Sequence, residues 1–163
     1  MTPGKTTKRL LLFLALLALL PATTGRAADE AVPLFLGQTI YVPAYSHIYV
    51  GDREQPFLLT VTVSLRNVDT KHRITLTAVN YYDTQGRLLK KYLPQPLVLK
   101  PLESTRYVVP QQDKTGGSGA NFIVEWQAEK PVNAPIVEAV MIGAASQQGI
   151  SFTSRGQAIT TAN

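Results

Sequence analysis

The chain contains no cysteine. That excludes disulfide staples, a lipid-bearing N-terminal cysteine, thiolate metal sites and thiol catalysis. Histidine is almost as scarce: His47 and His72 are the only two, and they lie far apart. Zinc and calcium sites need ligands at set spacings, which Asp69, Asp83 and Glu103 do not supply, so neither a metal nor a cofactor is expected. A hydrolase elbow of the Gly-x-Ser-x-Gly type is missing too. After residue 28 there is no sustained helical periodicity and no internal repeat.

What is present begins with a targeting signal. Lys5, Lys8 and Arg9 precede the unbroken apolar run of residues 10–20, and no acid occurs before Asp29. Pro21 ends the run, and Gly25 and Ala27 occupy the small-residue positions of a cleavage site. Eleven apolar residues fall well short of the roughly 20 that a membrane helix needs. Residues 1–27 therefore read as a secretory signal peptide cut after Ala27, with a periplasmic or secreted product and no membrane span left after cleavage. Export also changes the charge argument. The whole chain is +5, but removing Lys5, Lys8, Arg9 and Arg26 leaves 12 basic against 11 acidic residues. In sequence the remaining bases are scattered, apart from Lys90 and Lys91, so nucleic acid is not an expected partner.

The mature part is written in strands. In residues 57–66, Phe57, Leu59, Val61, Val63 and Leu65 share one parity, and Thr60, Thr62, Ser64 and Arg66 the other. Ile74, Leu76 and Ala78 repeat the pattern against Thr75 and Thr77. Residues 81–87 carry hairpin chemistry, with Gly86 placed for a positive φ. Phe122, Val124 and Trp126 are expected inward, with Trp126 as a core anchor, while residues 111–120 form a polar, glycine-rich loop. Residues 130–135 read as a proline-bounded turn. The apolar run 136–143 reads as a central strand. Pro43 marks residues 38–50 as an edge strand or one broken midway. Eight to ten short strands with frequent turns predict an all-β, two-layer antiparallel sandwich of immunoglobulin-like type, with a small closed barrel as the alternative. The expected division is a signal over 1–27, a flexible leader over 28–37, the sandwich over 38–156 and a polar tail over 157–163.

Four stretches carry a resemblance. They are residues 41–49 (YVPAYSHIY), Leu65-Arg66-Asn67, Tyr81-Tyr82-Asp83 and residues 116–126 (GGSGANFIVEW). They are similar to the uncharacterised secreted bacterial family known as domain of unknown function 3124, over roughly residues 38–156. The resemblance implies export and a single domain and names no activity or ligand.

On a straight strand Tyr41, Tyr45, His47 and Tyr49 would share a face, offering rings to a sugar or a peptide. Packing along the sheet edge is the first reading of these residues and binding the second. Ser46 and His47 are strand neighbours that point to opposite faces, which argues against a nucleophile–base pair. The glycine loop has its Lys114 before the glycines, unlike a phosphate loop, and reads first as a mobile connector. Folded over the tyrosine segment, it completes the candidate ligand set of Tyr41, Tyr45, Ser46, His47, Tyr49, Gly116, Gly117 and Asn121. Glu138, an acid inside an apolar strand, is expected either to pair across the sheet or to mark an exposed stripe.

These readings favour a non-enzymatic, exported β-sandwich that binds an envelope protein, a peptide or a glycan. One alternative is a glycan- or ester-acting hydrolase with His47 as base. The other is a structural or chaperone-like envelope subunit that lends an edge strand.

Overall fold

A computed structural model describes residues 32–52, 54–145 and 148–159. The signal peptide expected over residues 1–27 and residues 160–163 lie outside the described residues. Among those described there are twelve strands and no helix. In chain order they are β1 Leu34–Pro43, β2 His47–Val50, β3 Gln55–Leu58, β4 Thr60–Arg66, β5 Ile74–Tyr82 and β6 Leu88–Lys91. Then come β7 Leu97–Leu99, β8 Ser104–Val109, β9 Asn121–Asn133, β10 Ile136–Ala145, β11 Gln148–Arg155 and β12 Gln157–Ile159.

Two antiparallel sheets form the layers. One runs β12-β1-β9-β5-β6, with β7 also paired to β5, and the other runs β11-β10-β4-β8. The hairpin β2-β3 stands as a third, two-stranded sheet. The two threonine-rich strands at the centre of the chain, β4 and β5, fall in opposite layers. Val61, Val63 and Leu65 of β4 and Ile74 and Leu76 of β5 are fully buried in one cluster with Phe122, Val124 and Trp126. A strand with one dry face needs a cover, and each layer covers the other. The structure is thus the expected all-β sandwich.

The local differences have physical reasons. β1 begins at Leu34, inside the stretch expected to be a loose leader, because Leu34 and Phe35 pair with Asn133 and Val132. It is not an edge strand, since β9 lies on one side and β12 on the other. Pro43 is tolerated as its last residue, where the ladder ends. The tail contributes β12 over Gln157–Ile159. The strand expected over residues 57–66 breaks at Leu59, whose amide leaves the ladder to donate to the Ser46 carbonyl at 3.0 Å. Ala78 does not continue the buried parity of Ile74 and Leu76. A bulge between Leu76 and Ala78 shifts the register, so Val79 and Tyr81 become the core residues, as one extra residue inverts the facing of all that follow. The turn expected over residues 130–135 is shorter, because β9 runs on to Asn133. Pro131 fits there because the pairing of β9 with β1 skips from Gln127 to Val132.

β10 is central, between β11 and β4. Its outer face is open, with Ile142 55% exposed. Glu138 on that face pairs with Arg66 of β4 at 3.6 Å. Trp126 is buried at 2% exposure, the core anchor expected of it.

Candidate functional site

The segment 41–49 does not run straight, so its four rings do not share a face. Tyr41 alternates with the buried Ile40 and Val42 and faces away from the core. Tyr45 follows the end of β1 and packs its ring edge-on to Phe152 of β11, with centroids 5.8 Å apart. His47 opens β2 and meets Tyr49 at 5.3 Å and 80°. The His47 Nδ1 atom is buried without a hydrogen-bond partner, while Tyr49 is 53% exposed. Packing explains Tyr45, and only Tyr49 stands clear of the surface.

The glycine loop does fold onto this segment, and what it forms there is a clasp. Ser46 is fully buried, its hydroxyl donating to the Gly117 carbonyl at 3.2 Å and accepting from the Gly117 amide at 2.9 Å. From the other side, the Thr84 hydroxyl donates to the Gly116 carbonyl and accepts from the Gly119 amide, both at 3.0 Å. A Cβ on Gly116 would collide with the Tyr81 hydroxyl, and one on Gly117 with Thr84. Gly117 also has φ +81°, which favours glycine. The loop is therefore an anchored cover and not the mobile connector its composition suggested. Burial first, and the nearby Asp113 charge second, push the Tyr81 hydroxyl up from its ordinary range. Asn121 begins β9, paired with Pro43 and Tyr82.

Ser46 and His47 do not form a nucleophile–base pair at this end. Both roles of the Ser46 hydroxyl are taken by Gly117, and among the described residues no carboxylate lies within 4.0 Å of the His47 ring. A nucleophile and its base must share a hydrogen bond.

The opposite ends of β4 and β9 tell another story. Here the loop after β4, the turn between β7 and β8, and the far part of β9 surround a cleft of about 360 Å³. Lys71, His72 and Arg73 line one wall, Lys100 and Pro101 a second, and Glu129 and Lys130 the third. Four cationic side chains thus meet one carboxylate, although the sequence had scattered them over 60 positions or so. Arg73 and Glu129 pair at 2.9 Å, which leaves the three lysines.

Two buried polar residues build these walls. Asn67, 2% exposed, donates through Nδ2 to the carbonyls of His72 at 2.9 Å, Leu99 at 3.2 Å and Lys100 at 2.9 Å. Its own amide donates to the Glu103 carbonyl. Asp69, 6% exposed, accepts from the Lys71 and His72 amides at 2.9 and 2.8 Å and from the Asn133 amide at 3.2 Å. The Lys71 amide and then the His72 amide hold its carboxyl well below the usual carboxylate range, against the opposing effect of burial. Asp69 is therefore ionised at neutral pH and can only accept. His72 Nδ1, at 3.3 Å from Oδ1, must be the donor, which makes Nε2 the ring's remaining hydrogen-bonding atom. The second wall carries strain. Leu102 has φ +61° although it is a bulky residue, and Glu103 Oε2 caps the turn by accepting from the Lys100 amide at 2.7 Å.

In the sequence His72 and Asp69 stood out only as residues without metal-ligand spacing, and the cleft they help to build is a tertiary product. The one available signal was Asn67-x-Asp69, two side chains suited to fastening backbone within two positions.

The fold and its two ends define an all-β sandwich with one end clasped shut and the other opening on a basic cleft. A family model described as "Protein of unknown function (DUF3124)" matches residues 37–159, and the chain belongs to that family. No curated protein matches the chain. Among solved structures, a crystal structure titled Thermotoga maritima 1070 aligns at a TM-score of 0.45 and 7% identity, covering 74% of this chain and 92% of that one.

Proposed function

We propose that this chain is an exported, non-enzymatic binding module whose ligand enters the cleft between the loop after β4, the β7–β8 turn and β9. One observation carries the reading: two loops and the far part of β9, held in place by Asn67 and Asp69, leave a cleft of about 360 Å³ between them. That volume lies in the range of small-molecule sites, roughly 300–1,000 Å³. Export rests on residues 1–27, and sequencing the N-terminus of secreted protein tests it, with Ala28 expected first. A solution NMR titration with a panel of neutral, cationic and anionic small molecules tests the module. The expected result is shifts confined to the amides of residues 71–73, 100–101 and 129–130. Shifts confined to residues 45–49 and 116–121 would move the site to the other end. Ester or glycoside hydrolysis lost in His47→Ala would replace the reading with catalysis.

A further inference from the structure

Resting on that reading, we infer that the cleft takes a compact oxyanion ester, a phosphate or sulfate group carried on a small organic body. Lys71, Lys100 and Lys130 approach one space from three separate segments. Like charges held together repel. Four basic residues line the cleft against one lining carboxylate, Glu129, which pairs with Arg73, and Asp69 and Glu103 behind the walls offset only part of the remaining charge. A doubly charged anion relieves that repulsion at all three lysines at once. Lysine suits the task, being a point charge with three donors that serves tetrahedral oxyanions well. His72 adds direction. With Nδ1 committed to Asp69, its Nε2 is left to meet a polar group of the ligand. The aliphatic stems of the lysines and the Pro101 ring give the organic body apolar surface. A bare sheet of surface lysines would lack these features, because here the backbone at His72 and Lys100 is tied by one buried amide.

Isothermal titration calorimetry on the mature chain, at fixed ionic strength, tests this with sodium sulfate, glucose 6-phosphate, glucose and vesicles of phosphatidic acid in phosphatidylcholine. Glucose 6-phosphate is expected to bind at least tenfold more tightly than glucose. Lys100→Glu and Lys130→Glu should each lower that affinity at least tenfold, while Lys91→Glu, the same charge change on β6, should alter it less than twofold. Sulfate binding lost in the same two variants supports the oxyanion as the shared chemistry. Binding to the vesicles but not to the sugar phosphate would assign the oxyanion to a lipid headgroup. Equal losses in all three variants would overturn the proposal, as diffuse attraction would explain them. A neutral ligand that binds the cleft while every anion fails would also overturn it, yet leave the binding module standing. Melting curves of each variant confirm that a lost affinity is not a lost fold.

Discussion

The two ends of the sandwich use similar materials to opposite effect. Each has a nearly buried aspartate that accepts from loop amides: Asp83 from Gln85 and Arg87 at one end, Asp69 from Lys71 and His72 at the other. Asp83 also takes the Arg87 guanidinium at 2.7 Å, so its charge is met by a cation. Asp69 turns its second oxygen to Asn133, and Lys71, His72 and Lys100 nearby line the cleft. Glycine makes the other contrast. Without side chains at Gly116 and Gly117, the loop settles directly on Tyr81, Ser46 and Thr84. At the cleft no glycine is among the lining residues, which include three lysines and a proline. Buried polar groups position loops in both cases, and side-chain bulk decides whether the space between them closes.

That contrast breaks most readily at the closed end. Gly116→Val should cost about 3 kcal/mol, the upper range for overpacking a filled site, and denaturant melts read it directly. Ser46→Ala leaves the half-buried Gly117 amide without its acceptor and should cost about 1 kcal/mol. If either change proves neutral, the closed end is not a clasp. Near-zero cost is expected at the open end, where Lys100→Glu and Lys130→Glu should stay within about 0.5 kcal/mol, as surface substitutions do. Leu102→Gly should be stabilising by about 1 kcal/mol, because glycine carries no steric penalty at φ +61°.

Acid sharpens the comparison further. Both aspartates have folded pKa values below the ordinary one. For Asp83, burial alone would raise it, and the Arg87 amide and guanidinium overcome that effect. For Asp69 the Lys71 and His72 amides lead. A depressed carboxylate adds stability that is fully present above the unfolded value of about 3.9 and is lost as pH falls through the folded value. Melting temperature should therefore drop steeply below about pH 4. Asp69→Asn and Asp83→Asn should each flatten that drop, and unchanged acid profiles in both would refute the assignment.

Much of the fold was legible because alternation reports burial directly. Val61, Val63, Leu65, Phe122, Val124 and Trp126 all face the core as their parity demanded. Gly86 takes φ +77° in the hairpin its sequence announced. Reading failed where the ladder is irregular. The bulge after Leu76 inverts parity within β5, and the departure of the Leu59 amide to Ser46 divides one expected strand into two. The tyrosine face failed for a related reason, since it assumed a straight strand through residues 41–49 that turns after Pro43.

The linear chain by itself determined a cysteine-free all-β sandwich and the residues that fill its core, because those depend on composition and on a period of two. Which loops meet, and whether they seal or part, was decided only in three dimensions. Lys71, Lys100 and Lys130 become neighbours through Asn67 and Asp69, whose hydrogen bonds reach across 33 and 64 positions to Lys100 and Asn133. Such contacts leave no periodic trace, since they depend on where distant backbone groups arrive after the sheets have packed.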